Sequence, residues 1–251
     1  MFSKYDQIDA EEFHNNLLNN KNAEKCRQYI FNKRGINTDV VDKFKIGWCP
    51  ENKNHKMRGR MTTPLYDSSD NVVAFAGRLL REEKPVWWHE SFPKKHYVYG
   101  LHATKNYIRE KKFVIVVEGY GDLWRLYQIG IMNAVAVMGS GLQEDQLMIL
   151  LRYTTNFAIM LDNDPPGYAG FERTREILKK YSCVFGEVDY GEYRDDPDTF
   201  AKAHPEECIG VISNTELKLK KMAISKAISK KRNKTMKLSD TVNNLAEMYG
   251  L

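Results

Sequence analysis

Three clusters of acidic residues in the second half of this 251-residue chain have the composition of a metal site. Glu118 ends the run FVIVVE, Asp162 and Asp164 end FAIMLDND, and Asp196 and Asp198 lie in DDPDTF. Carboxylate oxygens are hard ligands that suit Mg²⁺ or Mn²⁺, and carboxylates that converge on one point repel each other unless a cation lies between them. A single cluster is equally typical of an ordinary loop, but together the three predict a divalent-metal site.

The segments around these clusters alternate between strand and helix patterns. Short apolar runs typical of buried parallel strands are separated by longer amphipathic segments. The predicted strands are FVIVVE, NAVAVM, FAIMLD and VFGEVDY, and the predicted helices are GDLWRLYQIG, SGLQEDQLMILLRY and GYAGFERTREILKKY. This βαβαβαβ order predicts a parallel sheet with right-handed crossovers. Open sheets of this kind bind ligands at the carboxyl ends of their strands, which is where Glu118 and Asp162 fall.

The region before this sheet has a different pattern. Short helices are predicted in the first fifty residues, and the period changes to two between residues 56 and 81. There, KMRGRMTTPLY and NVVAFAGRLL flank the polar turn DSSDN and predict an antiparallel hairpin. Lys56, Arg58 and Arg60 alternate along the first strand and are expected to share one face, while Arg78 lies late in the second. Such a stripe either binds phosphate groups or forms a solvated face, and both interpretations stay open.

The net charge of +5 is concentrated at the C-terminal end of the chain. Residues 213–251 contain nine Lys or Arg and three Asp or Glu, a net charge of +6, which leaves the first 212 residues at −1. Two helices are predicted in this tail. A basic tail either contacts nucleic acid or an acidic partner, or forms a solvated helical face.

Cysteine spacing and hydropathy limit the class of protein. No two of the four cysteines form a C-x-x-C pair, which argues against both a zinc ribbon and a disulfide framework. The N-terminus has no apolar signal segment, and no run approaches the roughly 18 apolar residues of a membrane span. We therefore expect a cytoplasmic protein with no membrane partner.

The order of the motifs resembles a known family. EGYGD, VMGSGL, LDNDPPG and DDPDTF together resemble the Toprim metal-binding domain of topoisomerases, DnaG-type primases and related nucleases. In that family a Glu closes the first strand and an Asp-x-Asp pair closes the third; here these are Glu118, Asp162 and Asp164, with Asp122 as a further acidic position. The hairpin, FNKRGINTDVVDKFKIGWCP and HYVYGL resemble the DnaG-type branch, so the resemblance spans about residues 22–213.

The resemblance implies an α/β chain, α+β overall, with a Toprim-type parallel sheet flanked by helices. A small basic α+β subdomain of helices and an antiparallel hairpin precedes this sheet, and a helical basic tail follows it. The predicted boundaries are residues 1–110, 111–212 and 213–251.

The resemblance also implies a DNA primase catalytic core, which makes short RNA primers during DNA replication by divalent-metal-dependent nucleotidyl transfer. The implied catalytic residues are Glu118, Asp162, Asp164 and Lys94. The implied ligands of Mg²⁺ or Mn²⁺ are Glu118, Asp162, Asp164, Asp196 and Asp198. The implied nucleotide and template contacts are Arg58, Arg60, Arg78, Lys94 and Lys95. Of the two lysines, Lys94 matches the family's functional lysine when no gap separates it from Tyr99.

The expected partners are a single-stranded DNA template, ribonucleoside triphosphates and a replicative helicase. Family members usually carry a zinc ribbon, which these cysteines cannot form, so we expect no zinc in this chain. A compact core beginning at Met1 suggests a viral or plasmid replication protein, such as one from a phage acting in its host's cytoplasm, or an excised catalytic core. The alternatives are a Toprim nuclease or topoisomerase fragment, and a non-catalytic replisome factor that binds single-stranded DNA.

Overall fold

A computed structural model describes residues 4–81, 86–90, 92–191 and 196–249, with side chains described from residue 7 to residue 231 within those ranges. The described chain forms two four-stranded sheets joined by helices. The strands are β1 Gly47–Trp48, β2 Arg60–Tyr66, β3 Val72–Leu79, β4 Trp87–His89, β5 Val114–Val117, β6 Ala134–Ala136, β7 Asn156–Ile159 and β8 Val184–Glu187. The helices are α1 Lys4–Asn19, α2 Glu24–Arg27, α3 Thr38–Lys43, α4 Leu101–Lys111, α5 Tyr120–Gln128, α6 Glu144–Leu150, α7 Pro165–Lys180, α8 Pro197–Ala203 and α9 Pro205–Tyr249.

The first sheet is antiparallel, with the strand order β1-β2-β3-β4. The predicted hairpin forms its centre, where Arg60 pairs with Leu79 and Met61 with Arg78. The prediction that Lys56, Arg58 and Arg60 alternate along one strand is wrong. The strand begins only at Arg60, because the residue before it, Gly59, has a left-handed backbone with φ of +73°.

The second sheet is parallel, with the order β6-β5-β7-β8, and it confirms the predicted alternation of strands and helices. Strand β5 lies between β6 and β7, so its four β-branched residues are fully buried. Because all three strands run in the same direction, the residues that follow β5 and β7 emerge at the same edge of the sheet.

One of three apolar clusters among the described residues extends from the first sheet into the second. It includes Met61 of β2, Val117 of β5 and the fully packed Trp124 of α5. Tyr99 links the two sheets, because its backbone bridges to Ala136 of β6 and its hydroxyl lies 2.7 Å from Oγ1 of Thr63 in β2. Full burial of a large apolar side chain contributes about 1.5–3 kcal/mol, so this shared core fixes the position of one sheet relative to the other.

The C-terminal tail forms one helix, α9, and not the two that the sequence predicts. Its first half packs against β7 and β8, with Cys208, Ile212 and Leu219 buried. The predicted boundary at residue 212 falls inside this helix, and the division into three parts stays a prediction. No helix within the described ranges combines the length and the apolar character needed to cross a bilayer.

Candidate metal and nucleotide site

A cavity of about 330 Å³ lies at the carboxyl edge of the parallel sheet. Four acidic residues line it: Glu118 follows β5, Asp122 lies in α5, Asp162 follows β7, and Asp196 precedes α8. The backbone N–H of Asp162 lies 3.4 Å from Oε1 of Glu118. The structure therefore brings one residue of each acidic cluster to the same cavity.

The carboxylates that line this cavity raise each other's pKa. Burial, and next the negative charge of Asp162, raise the pKa of Glu118 to about 7. Burial, followed by the charges of Asp196 and Asp164, raises the pKa of Asp162 to about 6. The Oδ1 atom of Asp162 is also buried without a hydrogen-bond partner. An unpartnered carboxylate oxygen among like charges fits a hard divalent cation, which would offset that repulsion.

As they stand, the described side chains do not include three or more His, Cys, Asp or Glu residues grouped as a metal ligand set. Two of the predicted ligands also cap helices. Asp164 is exposed and its Oδ1 accepts the N–H of Gly167 at 2.7 Å, while Oδ1 of Asp196 accepts the N–H of Thr199 at 2.7 Å. Each capping bond leaves the other carboxylate oxygen available as a ligand.

Asp122 is a deeply buried part of the cavity lining, and Asp198 lies next to it, outside the lining. Asp122 is buried and accepts two backbone N–H groups, from Gly119 at 2.8 Å and from Asp198 at 3.2 Å. Burial, and next the charge of Asp162, raise the pKa of Asp122 well above its ordinary value. Asp198 pairs with Arg125, whose Nε lies 2.9 Å from Oδ1, and with Arg34 through Oδ2.

Basic and aromatic side chains also belong to the cavity lining. Arg34, Tyr29, Trp87 and His89 line the cavity. The predicted nucleotide-binding residue Arg78 lies nearby, with its guanidinium 4.9 Å from the ring centroid of Tyr29 and 5.7 Å from that of Trp87. Stacking between two rings holds a guanidinium plane in a fixed orientation.

His89 is a polar group of the cavity that the sequence did not single out. Its Nε2 lies 2.8 Å from the hydroxyl of Tyr120. Burial, followed by the positive charge of Lys94, lowers the pKa of His89 to about 4. The ring is therefore neutral at physiological pH, and Lys94 lies close enough to act on it electrostatically.

The remaining predicted contacts are less close to the cavity. Lys95 pairs with Asp145 of α6 at 3.4 Å. Arg58 is exposed in the turn before β2, and Arg60 begins that strand in a partly buried position. Sequence reasoning missed Arg34 and Arg125 as site residues. A local signal for Arg34 is its place in FNKRGINTDVVDKFKIGWCP, the segment that resembles the DnaG-type branch.

Part of the chain matches a known domain, and most of it matches known proteins. Residues 112–185, which contain β5 to the second residue of β8, match the Toprim domain. A DNA primase from Aquifex aeolicus is 29% identical over 257 residues, which covers 89% of this chain and 51% of that protein. This chain thus spans about half the length, or less, of the curated primases that it matches.

Solved structures give the same result. The Aquifex aeolicus primase, with its zinc-binding and RNA polymerase domains, matches at 27% identity with a TM-score of 0.75, over 84% of this chain and 60% of that one. A DnaG primase catalytic domain bound to single-stranded DNA matches at 25% identity with a TM-score of 0.72, over 82% of this chain and 77% of that one. The similarity therefore includes the antiparallel sheet and is not limited to the Toprim domain.

Proposed function

We propose that this chain, whose Toprim domain lies within a longer stretch similar to DNA primases, is a primase catalytic core. It would join ribonucleotides into short RNA primers on a single-stranded DNA template during DNA replication. The observation that carries this proposal is the cavity itself, where Glu118, Asp162, Asp196 and Arg34 line one space of about 330 Å³. The carboxylates suit divalent cations, and the guanidinium suits phosphate.

In this proposal Glu118, Asp162, Asp164 and Asp196 hold Mg²⁺ or Mn²⁺. When bound, such a cation would lower the pKa of the attacking 3′-hydroxyl and offset negative charge on the triphosphate. Arg34 and Arg78 bind the triphosphate through paired N–H donors, and Lys94 adds a positive charge at the rim. Tyr29 and Trp87 keep the Arg78 guanidinium oriented, so that the phosphates meet a preorganised donor set.

Single-stranded DNA is the proposed template partner, supported by the similar primase structure that holds single-stranded DNA. Ribonucleoside triphosphates as substrates follow from the proposed reaction. A replicative helicase partner, the absence of zinc, a phage or plasmid origin and a cytoplasmic location stay predictions from the sequence.

The nuclease, topoisomerase and non-catalytic alternatives are less well supported. Similarity to a DNA primase covers 89% of the chain, whereas the Toprim domain alone covers residues 112–185. A nuclease that shares only the acidic residues would have no reason to resemble primases across the antiparallel sheet. Nicking of supercoiled DNA with Mg²⁺ and without nucleotides would favour the nuclease or topoisomerase reading.

The decisive experiment is primer synthesis on a mixed-sequence single-stranded template with labelled ATP, the other ribonucleotides and Mg²⁺ or Mn²⁺. We expect short labelled RNA from the parent protein and none from Asp162→Ala. The matched control is Asp39→Ala, because Asp39 is exposed in the first turn of α3, away from the cavity. If folded parent protein yields no RNA under any of these conditions, alone or with replication partners, the proposal fails.

A further inference from the structure

Asp196 and Asp198 belong to one acidic motif, but they point in different directions. Asp196 is the N-cap of α8, and Asp198 follows two residues later within its first turn. Two positions along a helix are separated by about 200° of rotation, so the side chains diverge, whereas in a strand they would share a face. Within the part of the chain that the structure describes, the cavity wall includes Asp196 but not Asp198.

Both carboxylate oxygens of Asp198 are already bonded to guanidinium groups. Oδ1 accepts Nε of Arg125 at 2.9 Å, and Oδ2 accepts Nη1 of Arg34. The Asp198 side chain is only 7% exposed and that of Arg125 only 4%. Both oxygens are thus engaged by guanidinium groups, and a divalent cation at Asp198 would have to compete with these two positive charges.

The second arginine of the cluster supports the first. Arg125 does not line the described cavity, but its guanidinium also donates to the carbonyl oxygens of Arg34 and of Gly35, the latter at 3.3 Å. It therefore fixes the backbone at residues 34–35 while Asp198 fixes the Arg34 guanidinium. Nε of Arg34 donates to the hydroxyl of Tyr29 at 2.9 Å, which completes its orientation.

We propose that Asp198 is a positioning residue, which holds Arg34 at the cavity wall together with Arg125, and that it is not a ligand of the catalytic cation. This inference rests on the proposed nucleotidyl transfer only in assigning the triphosphate to Arg34. It assigns different tasks to the two acids of the motif: Asp196 faces the cation, and Asp198 acts on the nucleotide through Arg34.

Direct binding measurements separate these tasks without primer synthesis. Mn²⁺ binding is measured by electron paramagnetic resonance, and ATP binding by calorimetry at saturating Mg²⁺. Asp198→Asn puts an amide nitrogen, which cannot accept a hydrogen bond, against one guanidinium. Arg125→Lys keeps the charge, but one ammonium cannot reproduce bonds to Asp198 and to two carbonyl groups. Asp162→Asn is the ligand variant and Asp39→Asn the control.

We expect Asp198→Asn and Arg125→Lys to bind ATP about tenfold more weakly and to keep the Mn²⁺ affinity of the parent within about twofold. Asp162→Asn should lose Mn²⁺ affinity by about tenfold or more. The inference is overturned if Asp198→Asn loses Mn²⁺ affinity as Asp162→Asn does, or if Arg125→Lys binds ATP as the parent does. Should Asp198→Asn not fold, Arg125→Lys decides the question.

Neither binding measurement depends on catalysis. If the protein makes no primers but the Asp198 and Arg125 variants lose ATP affinity and keep Mn²⁺ affinity, the proposed function is wrong and the positioning role is supported. A protein that makes primers but fails the binding test would do the opposite.

Discussion

Replacing Glu118 by Gln is expected to stabilise the cation-free protein at alkaline pH, although it removes a proposed ligand. Burial and the charges of Asp162 and Asp164 raise the pKa of Glu118 from 4.5 to about 7. The folded state therefore keeps a proton that the unfolded chain releases between those two pH values. The contribution of Glu118 to the free energy of unfolding is fully present below its ordinary pKa and is lost as the pH rises through about 7.

The size of the effect follows from the shift. A pKa difference of about 2.5 units corresponds to about 3 kcal/mol, and partial exposure of the group to solvent reduces this to about 1–2 kcal/mol. Gln keeps an oxygen that can accept the backbone N–H of Asp162, so the main change is the loss of the charge. For a chain of this length we expect a rise in melting temperature of about 2–8 °C for Glu118→Gln.

The assay is thermal unfolding with a chelator at about pH 5 and about pH 8, followed by the same scans with Mn²⁺. The melting temperature of the parent should fall below that of the variant mainly at the higher pH, because at about pH 5 only a small part of the loss has developed. Mn²⁺ should then raise the melting temperature of the parent more than that of the variant. Glu110→Gln is the control, because Glu110 is exposed on α4.

The reasoning would be refuted if Glu118→Gln melted at or below the temperature of the parent at about pH 8 without cation. That result would mean that the carboxylates do not repel each other in the folded protein. Equal stabilisation of parent and variant by Mn²⁺ would instead remove Glu118 from the ligand set.

Two further predictions concern the edges of the site. Gly167→Ala would place a Cβ 2.0 Å from the carbonyl oxygen of Asp162. We therefore expect the free energy of unfolding to fall by about 1–3 kcal/mol and most primer synthesis to be lost. Gly210→Ala on α9, where a Cβ meets open space, should instead stabilise the protein by about 0.5–1 kcal/mol, and equal effects of the two changes would contradict the clash. In steady-state kinetics, Lys94→Gln should raise the KM for ribonucleotides about tenfold. Lys95→Gln should keep the KM within about twofold of the parent, because the Lys95 ammonium pairs with Asp145. If Lys95→Gln raised the KM more than Lys94→Gln, the role would belong to Lys95.

The parallel sheet could be predicted from sequence because its signal is local. Runs such as FVIVV and FAIML are apolar and bounded by turns, and the structure places β5 and β7 there. The two outer strands of the antiparallel sheet could not be predicted, since β1 and β4 contain only two and three residues. Strands this short cannot show the alternation of apolar and polar residues that identifies a strand in sequence. They form because the edges of β2 and β3 are available for pairing.

The candidate site was only partly accessible to sequence reasoning. A carboxylate that follows an apolar strand is recognisable, which is how Glu118 and Asp162 were singled out. The orientation of Asp198 depends on where α8 begins, and the D-P pair at residues 196–197 is the N-cap and first-turn pattern that would have indicated it. No local pattern relates Asp198 to Arg34, because that contact joins residues 164 positions apart.

That separation has a consequence for the order of events during synthesis of the chain. Both sheets are complete once β8 has been made at Glu187, but the Arg34–Asp198 contact must wait until residue 198 has left the ribosome. Until then Arg125 lacks its bond to the Asp198 carboxylate. Its guanidinium, which donates to the backbone at residues 34–35, is then less firmly held. Contacts between such distant residues also close slowly, because loop closure must precede them. A nascent chain that ends just after β8 therefore contains the sheets and the acidic strand ends, but it cannot yet present a complete cavity.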